Sequence, residues 1–226
     1  MTGAEPPRIR ALLFDFDGMI VDTESPAFRS WQEVFVEHGH ELTREQWAAA
    51  VGTLYGFDAL EHLESLTGTP VDRDQIRARR VARKDELVAV EAVRPGVVDY
   101  LQEARRRGLA LAIVSSDSRE WVQTHLERLG LDEGWAGFFC ADGDRTRAKP
   151  SPVLYEEAVA SLGVGPEEGI AFEDSPNGIR AAKRAGLYCV AVPNPVTEWM
   201  DLGEADLLVA SLAELPLDEL LARVGE

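Results

Sequence analysis

Residues 11–25 read ALLFDFDGMIVDTES, and four acids, Asp15, Asp17, Asp22 and Glu24, follow an apolar run within that stretch. Buried charge is expensive unless it is paired or metal-bound, so acids at the end of a buried strand need a reason. Residues two apart in an extended chain point the same way, which predicts Asp15 and Asp17 close together as the strand runs out. Gly18 behind them allows a tight turn and close backbone approach. Two neighbouring carboxylates do not both ionise easily without a cation, so one holds a proton or a metal lies between them. Either arrangement suits phosphoryl transfer, with one Asp as nucleophile, the other as general acid and base, and Mg²⁺ holding the phosphate. The plainer alternative is a pair of ordinary loop acids. A calcium loop does not fit, because the fifth position from Asp15 is Met19 and the twelfth is Pro26.

Two acids alone cannot remove the barrier of upwards of about 20 kcal/mol that phosphate-ester hydrolysis presents. Donors and a cation are needed, and three further apolar runs end in suitable groups. Ser115, Ser116, Asp117 and Ser118 combine hydroxyls with the free N–H groups of a helix start, which can cradle an anion; Ser118 or Asp117 can equally cap that helix. Lys149, set between Ala148 and Pro150, can neutralise a nucleophile and a phosphate, or be a solvated loop lysine. Glu173 and Asp174 are suited to Mg²⁺, or to capping the next helix.

These groups need a scaffold that gathers them. Apolar runs at 11–16, 109–114, 137–141, 169–172 and 187–192, with a weaker one at 207–209, predict buried parallel strands. Helical patterns fall between them at 96–107, 119–129, 152–162 and 175–185. Ser151 and Ser175 are each followed by Pro and placed to cap a helix, and Gly108, Gly130, Gly163 and Gly186 follow the ends. Such alternation predicts an α/β fold, a doubly wound parallel sheet with ligands at the strand C-terminal ends. From about residue 23 to 93 no strand pattern occurs. Phe28, Trp31 and Phe35 share a helical face, Thr43 with Gln46 forms a capping box, residues 52–56 break the pattern, and 58–66 and 74–90 are helical again. The expected organisation is therefore a core of 1–22 and 94–226 with an all-helical insertion at 23–93.

The 226 residues, 45% of them apolar, can build a real core. A net charge of -17 repels nucleic acid and anionic membranes, so neither is an expected partner. It also makes each of the three lysines, Lys84, Lys149 and Lys183, worth attention. Cys140 and Cys189 form no C-x-x-C pair. No apolar run approaches a membrane span and no signal core precedes the first strand, so the expectation is a cytoplasmic protein, by default a monomer.

With the motifs DFDG at 15–18, VSS at 114–116, AKPSP at 148–152 and FEDS at 172–175 in order, followed by NGIRAAKRAGL, the chain resembles the haloacid dehalogenase superfamily. The start DFDGMIVDTE and the helical insertion are most similar to its β-phosphoglucomutase-like branch of phosphatases and mutases. The resemblance implies a Rossmann-like core, a mobile cap that closes over the site, a small phosphorylated substrate and Mg²⁺. It implies that Asp15 is phosphorylated, and that Asp17 protonates the leaving group, later activates water, and ligates Mg²⁺ through its carbonyl. Ser115 would hold a phosphoryl oxygen with backbone help from Phe16, Asp17 and Ser116, and Lys149 would offset charge. Asp174 would bind Mg²⁺ along with Asp15, directly or through water with Glu173.

Dehalogenases lack the second acid that Asp17 supplies, and phosphonate-cleaving relatives use a cap-loop Lys that 52–56 lacks. Mutases carry a His at the position of Ala27 and an Arg near Tyr55, and neither is present. The expectation is a phosphatase of sugar-phosphate-like monoesters, with a phosphosugar mutase as the alternative and a non-catalytic phosphate-binding protein behind it. Thr23 and Tyr55 are the expected cap-side substrate contacts. Trp31 and Trp47 are expected in the cap core, Lys84 and the four histidines on the surface, and Asp22 and Glu24 at a cap hinge.

Overall fold

A computed structural model describes residues 9–48 and 57–225 of the chain. Six parallel strands, β1 (Ala11–Phe14), β2 (Ala110–Ser115), β3 (Gly137–Cys140), β4 (Gly169–Glu173), β5 (Tyr188–Ala191) and β6 (Leu207–Leu208), form one sheet in the order β3-β2-β1-β4-β5-β6. The order reverses between β1 and β4, which creates the crevice at their C-terminal ends where doubly wound sheets bind ligands. β1, β3, β5 and β6 are shorter than their apolar runs, β2 is shifted one residue along, and β4 extends one residue beyond. β1 stops at Phe14, so Asp15 and Asp17 lie beyond it, and Asp17 makes only an isolated bridge to Val21.

Both faces of the sheet are covered, which is why the strands read as unbroken apolar runs. Leu12, Phe14, Ile170 and Phe172 face a core built with α5 (Val97–Arg107), α6 (Arg119–Leu129) and α9 (Leu217–Val224). Ala11, Leu13 and Ala171 face the other core, with α7 (Val153–Leu162) and α8 (Pro176–Arg184). Phe14 and Phe172 are cross-strand partners whose rings stack at 4.5 Å. Ser175 caps α8 and Ser118 caps α6. The cap expected from Ser151 is not formed: α7 starts one residue later than expected, with Pro152 at its cap position and no side-chain cap.

Between β1 and α5 the described chain holds four helices, α1 (Glu24–Glu37), α2 (Arg44–Ala48), α3 (Ala59–Thr67) and α4 (Arg73–Val88). The Thr43–Gln46 capping box forms in both directions, at 3.3 and 2.8 Å. Phe28, Phe35, Leu42, Trp47, Leu60, Leu63 and Ile76 make a separate apolar cluster, and Val196 from the segment after β5 joins it. Asp58 and Asp72 cap α3 and α4 by accepting from backbone N–H groups. The 52–56 loop and Tyr55 lie outside the described residues. No described helix is long and apolar enough to cross a membrane.

Candidate active site

The four strand ends converge. Asp15, just past β1, is buried, and its Oδ1 accepts from Lys149 Nζ at 2.6 Å. The same ammonium lies 2.7 Å from Glu173 Oε1, at the end of β4, and the Tyr155 hydroxyl of α7 donates to that oxygen as well. Asp174, the next residue, accepts from Asn194 Nδ2 at 2.6 Å. Ser116 Oγ accepts from Lys149 N at 3.0 Å, which ties the β2 end to the lysine loop, and Ser115 Oγ accepts from Asp117 N at 3.0 Å.

Asp15 and Asp17 have different partners. Asp17 Oδ1 accepts from the indole N–H of Trp121 at 2.9 Å, and its Oδ2 meets Ser115 Oγ loosely at 3.4 Å. The turn after Asp17 is held by Gly18 N donating to Val21 O at 2.8 Å and by Arg94, whose guanidinium donates to Gly18 O and to Val192 O and Pro193 O. Gly18 has φ +76°, and a Cβ there would lie 2.1 Å from Asp174 Oδ2, so only glycine lets the turn pass this close to the acid.

Burial dominates the electrostatics. It pushes Asp15 up to about 7 against the pull of Lys149. Burial and then the charges of Asp117 and Asp15 push Asp17 up to about 6. Burial, Asp15, Glu24 and Glu173 hold Asp174 well above the usual carboxylate range. Burial also works against the charge of Lys149, but Asp15 and Glu173 outweigh it and keep the ammonium protonated above its ordinary value.

A ligand atom from each of Asp15, Glu173 and Asp174 lies within 4.8 Å of the others. The set is all oxygen, as hard divalent cations prefer, and Asp15 and Glu173 share one ammonium, that of Lys149. Glu173 Oε2 is buried with no hydrogen-bond partner among the described residues. A cation among these acids would relieve the burial penalty that raises Asp15 and Asp174, so the residues present fit Mg²⁺. Glu173 sits deepest of the three, fully buried, and a Cβ at Gly178 would lie only 1.7 Å from its Oε2.

A cavity of about 630 Å³ opens over the strand ends, lined by Asp15, Asp17, Ser115, Ser116, Lys149 and Asp174 below. Thr23, Glu24, Ala27, Trp47, Arg80 and Lys84 line it from the helical insertion. Thr23 is buried at the cavity wall, and Trp47 is both in the helical cluster and on that wall. Three expectations change. Lys84 is not a simple surface residue, because its ammonium lies 3.9 Å over the Trp121 ring and lines the cavity. Glu24 faces the cavity too, and burial, followed by the charges of Asp17, Asp22 and Asp15, pushes it up to about 8. His125 is buried beside Trp121 rather than on the surface. Asp22 stands at the start of α1 and accepts from Ser25 N at 2.9 Å and Ser25 Oγ at 2.6 Å.

Arg94, Trp121, Tyr155 and Asn194 were not singled out as site residues by the sequence. Only Arg94 stood near a recognised boundary, the re-entry from the insertion into the sheet.

The family model for haloacid dehalogenase-like hydrolases matches residues 9–186. The chain belongs to this family. It is an enzyme of the phosphoric monoester hydrolase type. It is 42% identical to the "Putative phosphatase YhcW" of Bacillus subtilis (strain 168) over 213 residues, covering 94% of this chain and 96% of that protein. Among solved structures it is similar to an Asp→Asn variant of CbbY from Rhodobacter sphaeroides in complex with xylulose-(1,5)bisphosphate. That match has a TM-score of 0.75 and 32% identity, over 94% of this chain and 99% of the other. A HAD family hydrolase from Deinococcus radiodurans R1 with bound phosphate and sodium matches with a TM-score of 0.80 and 26% identity, over 98% of each chain.

Proposed function

We propose that the protein is a Mg²⁺-dependent phosphatase of small phosphorylated metabolites, sugar-phosphate-like monoesters, acting through an aspartyl-phosphate. The observation that carries this reading is the buried Asp15–Lys149 pair, with its second acid Asp17 held separately on the other side of the same turn. Asp15 attacks phosphorus through one carboxylate oxygen, and the bond from phosphorus to the leaving oxygen breaks. Asp17, raised to about 6, gives its proton to that oxygen and then accepts one from the water that cleaves the aspartyl-phosphate. Ser115, Ser116 and the backbone around Phe16 and Asp17 receive the phosphoryl oxygens, and Lys149 offsets their charge. Asp15 and Asp174, the carbonyl of Asp17 and, behind them, Glu173 would hold Mg²⁺. The ion, when bound, neutralises and orients the phosphate.

Residues 23–93 form, in this reading, the cap domain on a core of 1–22 and 94–226, with Thr23 and Tyr55 as substrate contacts. Hydrolysis is favoured over mutase chemistry because Ala27, at the position where mutases carry a His, faces the cavity and offers no proton-transfer group. The xylulose-(1,5)bisphosphate bound to CbbY and the phosphate bound to the Deinococcus protein support a small phosphorylated substrate. A monomeric, cytoplasmic enzyme without nucleic-acid or membrane partners accords with the charge of -17. The test is phosphate release from a panel of phosphorylated metabolites with Mg²⁺, including β-glucose 1-phosphate. Inorganic phosphate is the expected product. Glucose 6-phosphate instead would mark a mutase, and no turnover of any ester or of p-nitrophenyl phosphate would sink the enzymatic mechanism.

A further inference from the structure

We propose that Trp121 is the positioning residue for Asp17, selecting which carboxyl oxygen of Asp17 delivers its proton. The proposal rests on the reading of Asp17 as general acid. Trp121 stands in the first turn of α6, where its backbone N–H is fixed by the Ser118 cap at 3.2 Å. From there its indole crosses to the β1 end and donates to Asp17 Oδ1 at 2.9 Å. The ring is held on the way. Lys84 Nζ from α4 lies over it, 3.9 Å from the centroid, and His125 packs against it edge to face at 4.1 Å. The indole is thus clamped between the helical insertion and α6 while its one polar atom meets the acid.

An indole N–H can only donate, so the oxygen it meets must accept. A neutral Asp17 therefore carries its proton on Oδ2. Oδ2 itself meets Ser115 Oγ loosely at 3.4 Å, and a hydroxyl tolerates either role. As the bond from phosphorus to the leaving oxygen breaks and the bond to Asp15 forms, the Oδ2 proton passes to the leaving oxygen. Asp17 becomes a carboxylate in that step. The Trp121 bond then becomes charge-assisted and stronger, so it favours the transition state over the ground state.

The test compares two esters that differ in their need for a proton. Phenyl phosphate leaves as a basic phenoxide and depends on the acid, whereas p-nitrophenyl phosphate leaves readily without one. Trp121→Phe keeps a ring between Lys84 and His125 and removes the N–H. We expect kcat/KM for phenyl phosphate to fall about tenfold or more, part of the roughly 10²–10⁴ that a positioned general acid contributes, with p-nitrophenyl phosphate within about twofold of wild type. Asp17→Asn is expected to show the same preference more strongly, and adding Trp121→Phe to it is expected to lower phenyl phosphate turnover no further. Equal losses on both esters, no loss on either, or a further loss in the Asp17→Asn background would each overturn the role of Trp121. An Asp17→Asn variant with no leaving-group preference would instead overturn the acid assignment beneath it. Should Trp121→Phe not fold, 3-benzothienylalanine at position 121, the same shape with sulfur in place of the N–H, gives the same comparison.

Discussion

The acids of this site should make the metal-free protein less stable as pH rises from 6.5 to 8, the reverse of what paired surface acids do. Glu24 is raised from its ordinary 4.5 to about 8, and Asp15 from 3.8 to about 7, both chiefly by burial. In this window the unfolded chain holds neither proton, while the folded chain holds most of both at the lower end. A carboxyl whose folded pKa is raised contributes stability that is lost as pH climbs through that pKa. Integrating the proton difference at 1.36 kcal/mol per unit gives a loss of about 2 kcal/mol from Glu24 and about 1 kcal/mol from Asp15. The two parts are not independent, because the charge of Asp15 is one of the causes that raise Glu24, and Asp174, also raised by burial, acts in the same direction. His125, lowered by burial, has the opposite sign, but its effect lies mostly below about pH 6.5, which sets the lower edge of the window. Lys149 is raised above its ordinary value and stays charged on both sides of folding, so it is neutral to the slope. For a chain of this length about 2–3 kcal/mol lowers Tm by roughly 5–10 °C. Thermal melts of chelator-treated protein at pH 6.5 and 8 read the slope directly, and Glu24→Gln should make it shallower. Mg²⁺ favours the ionised acids, so its stabilisation should be larger at pH 8. A metal-free Tm that is flat or rising across the window would refute the burial of ionisable acids on which the argument rests.

Three other perturbations test separate parts of the site. Asp15→Asn should lower kcat by roughly 10⁴–10⁶-fold, as loss of a nucleophile does, with an unchanged circular dichroism spectrum; near-normal turnover would remove Asp15 from its role. Gly18→Ala puts a Cβ where Asp174 Oδ2 lies, at a φ of +76° that L-residues rarely adopt, and should raise the Mg²⁺ concentration for half-maximal activity by roughly 10–100-fold, read by metal titration of the rate. Tyr155→Phe takes one of two donors from the fully buried Glu173 Oε1, and should cost about 1–3 kcal/mol in denaturant unfolding.

What could be read ahead of the structure depended on where a group sits relative to a strand. Asp15 lies at the end of one apolar run, Ser115 and the Glu173–Asp174 pair directly follow two others, and Lys149 stands in the loop after a fourth; a parallel sheet brings such positions together whatever the side chains around them. The same logic placed the sheet domain and the helical insertion. It misplaced details that local sequence does not encode. Ser151 looks as good a cap as Ser175, yet α7 begins after Pro152 and only Ser175 bonds into its helix. Trp121 and Tyr155 sit on helix faces whose period marks them as ordinary core, and their polar atoms find Asp17 and Glu173 only through the packing of α6 and α7 on the sheet. Asn194 lies in a loop with no pattern at all, and its contact with Asp174 follows from β5 pairing with β4. Lys84 and Glu24 were misjudged for a related reason: their exposure is set by how the helical insertion lies over the strand ends, which helical periodicity does not report.

That arrangement also bears on how an enzyme with a charge of -17 admits an anionic ester. Among the described residues six acids line the cavity, Asp15, Asp17, Glu24, Asp117, Asp144 and Asp174, with four cations, Arg80, Lys84, Arg145 and Lys149. If all were ionised the cavity would carry two net negative charges and repel a phosphate. Burial changes this count near neutral pH, because Asp15, Asp17, Glu24 and Asp174 are all pushed upward and Glu24 holds most of its proton. Each acid that stays neutral moves the cavity one charge toward positive, and a divalent cation moves it two. The acids needed for chemistry are thus compatible with anion binding because the desolvation that makes them costly also keeps some of them uncharged until substrate and metal arrive. Arg80 and Lys84 line the cavity from the helical insertion, where a second anionic group on a substrate would meet positive charge.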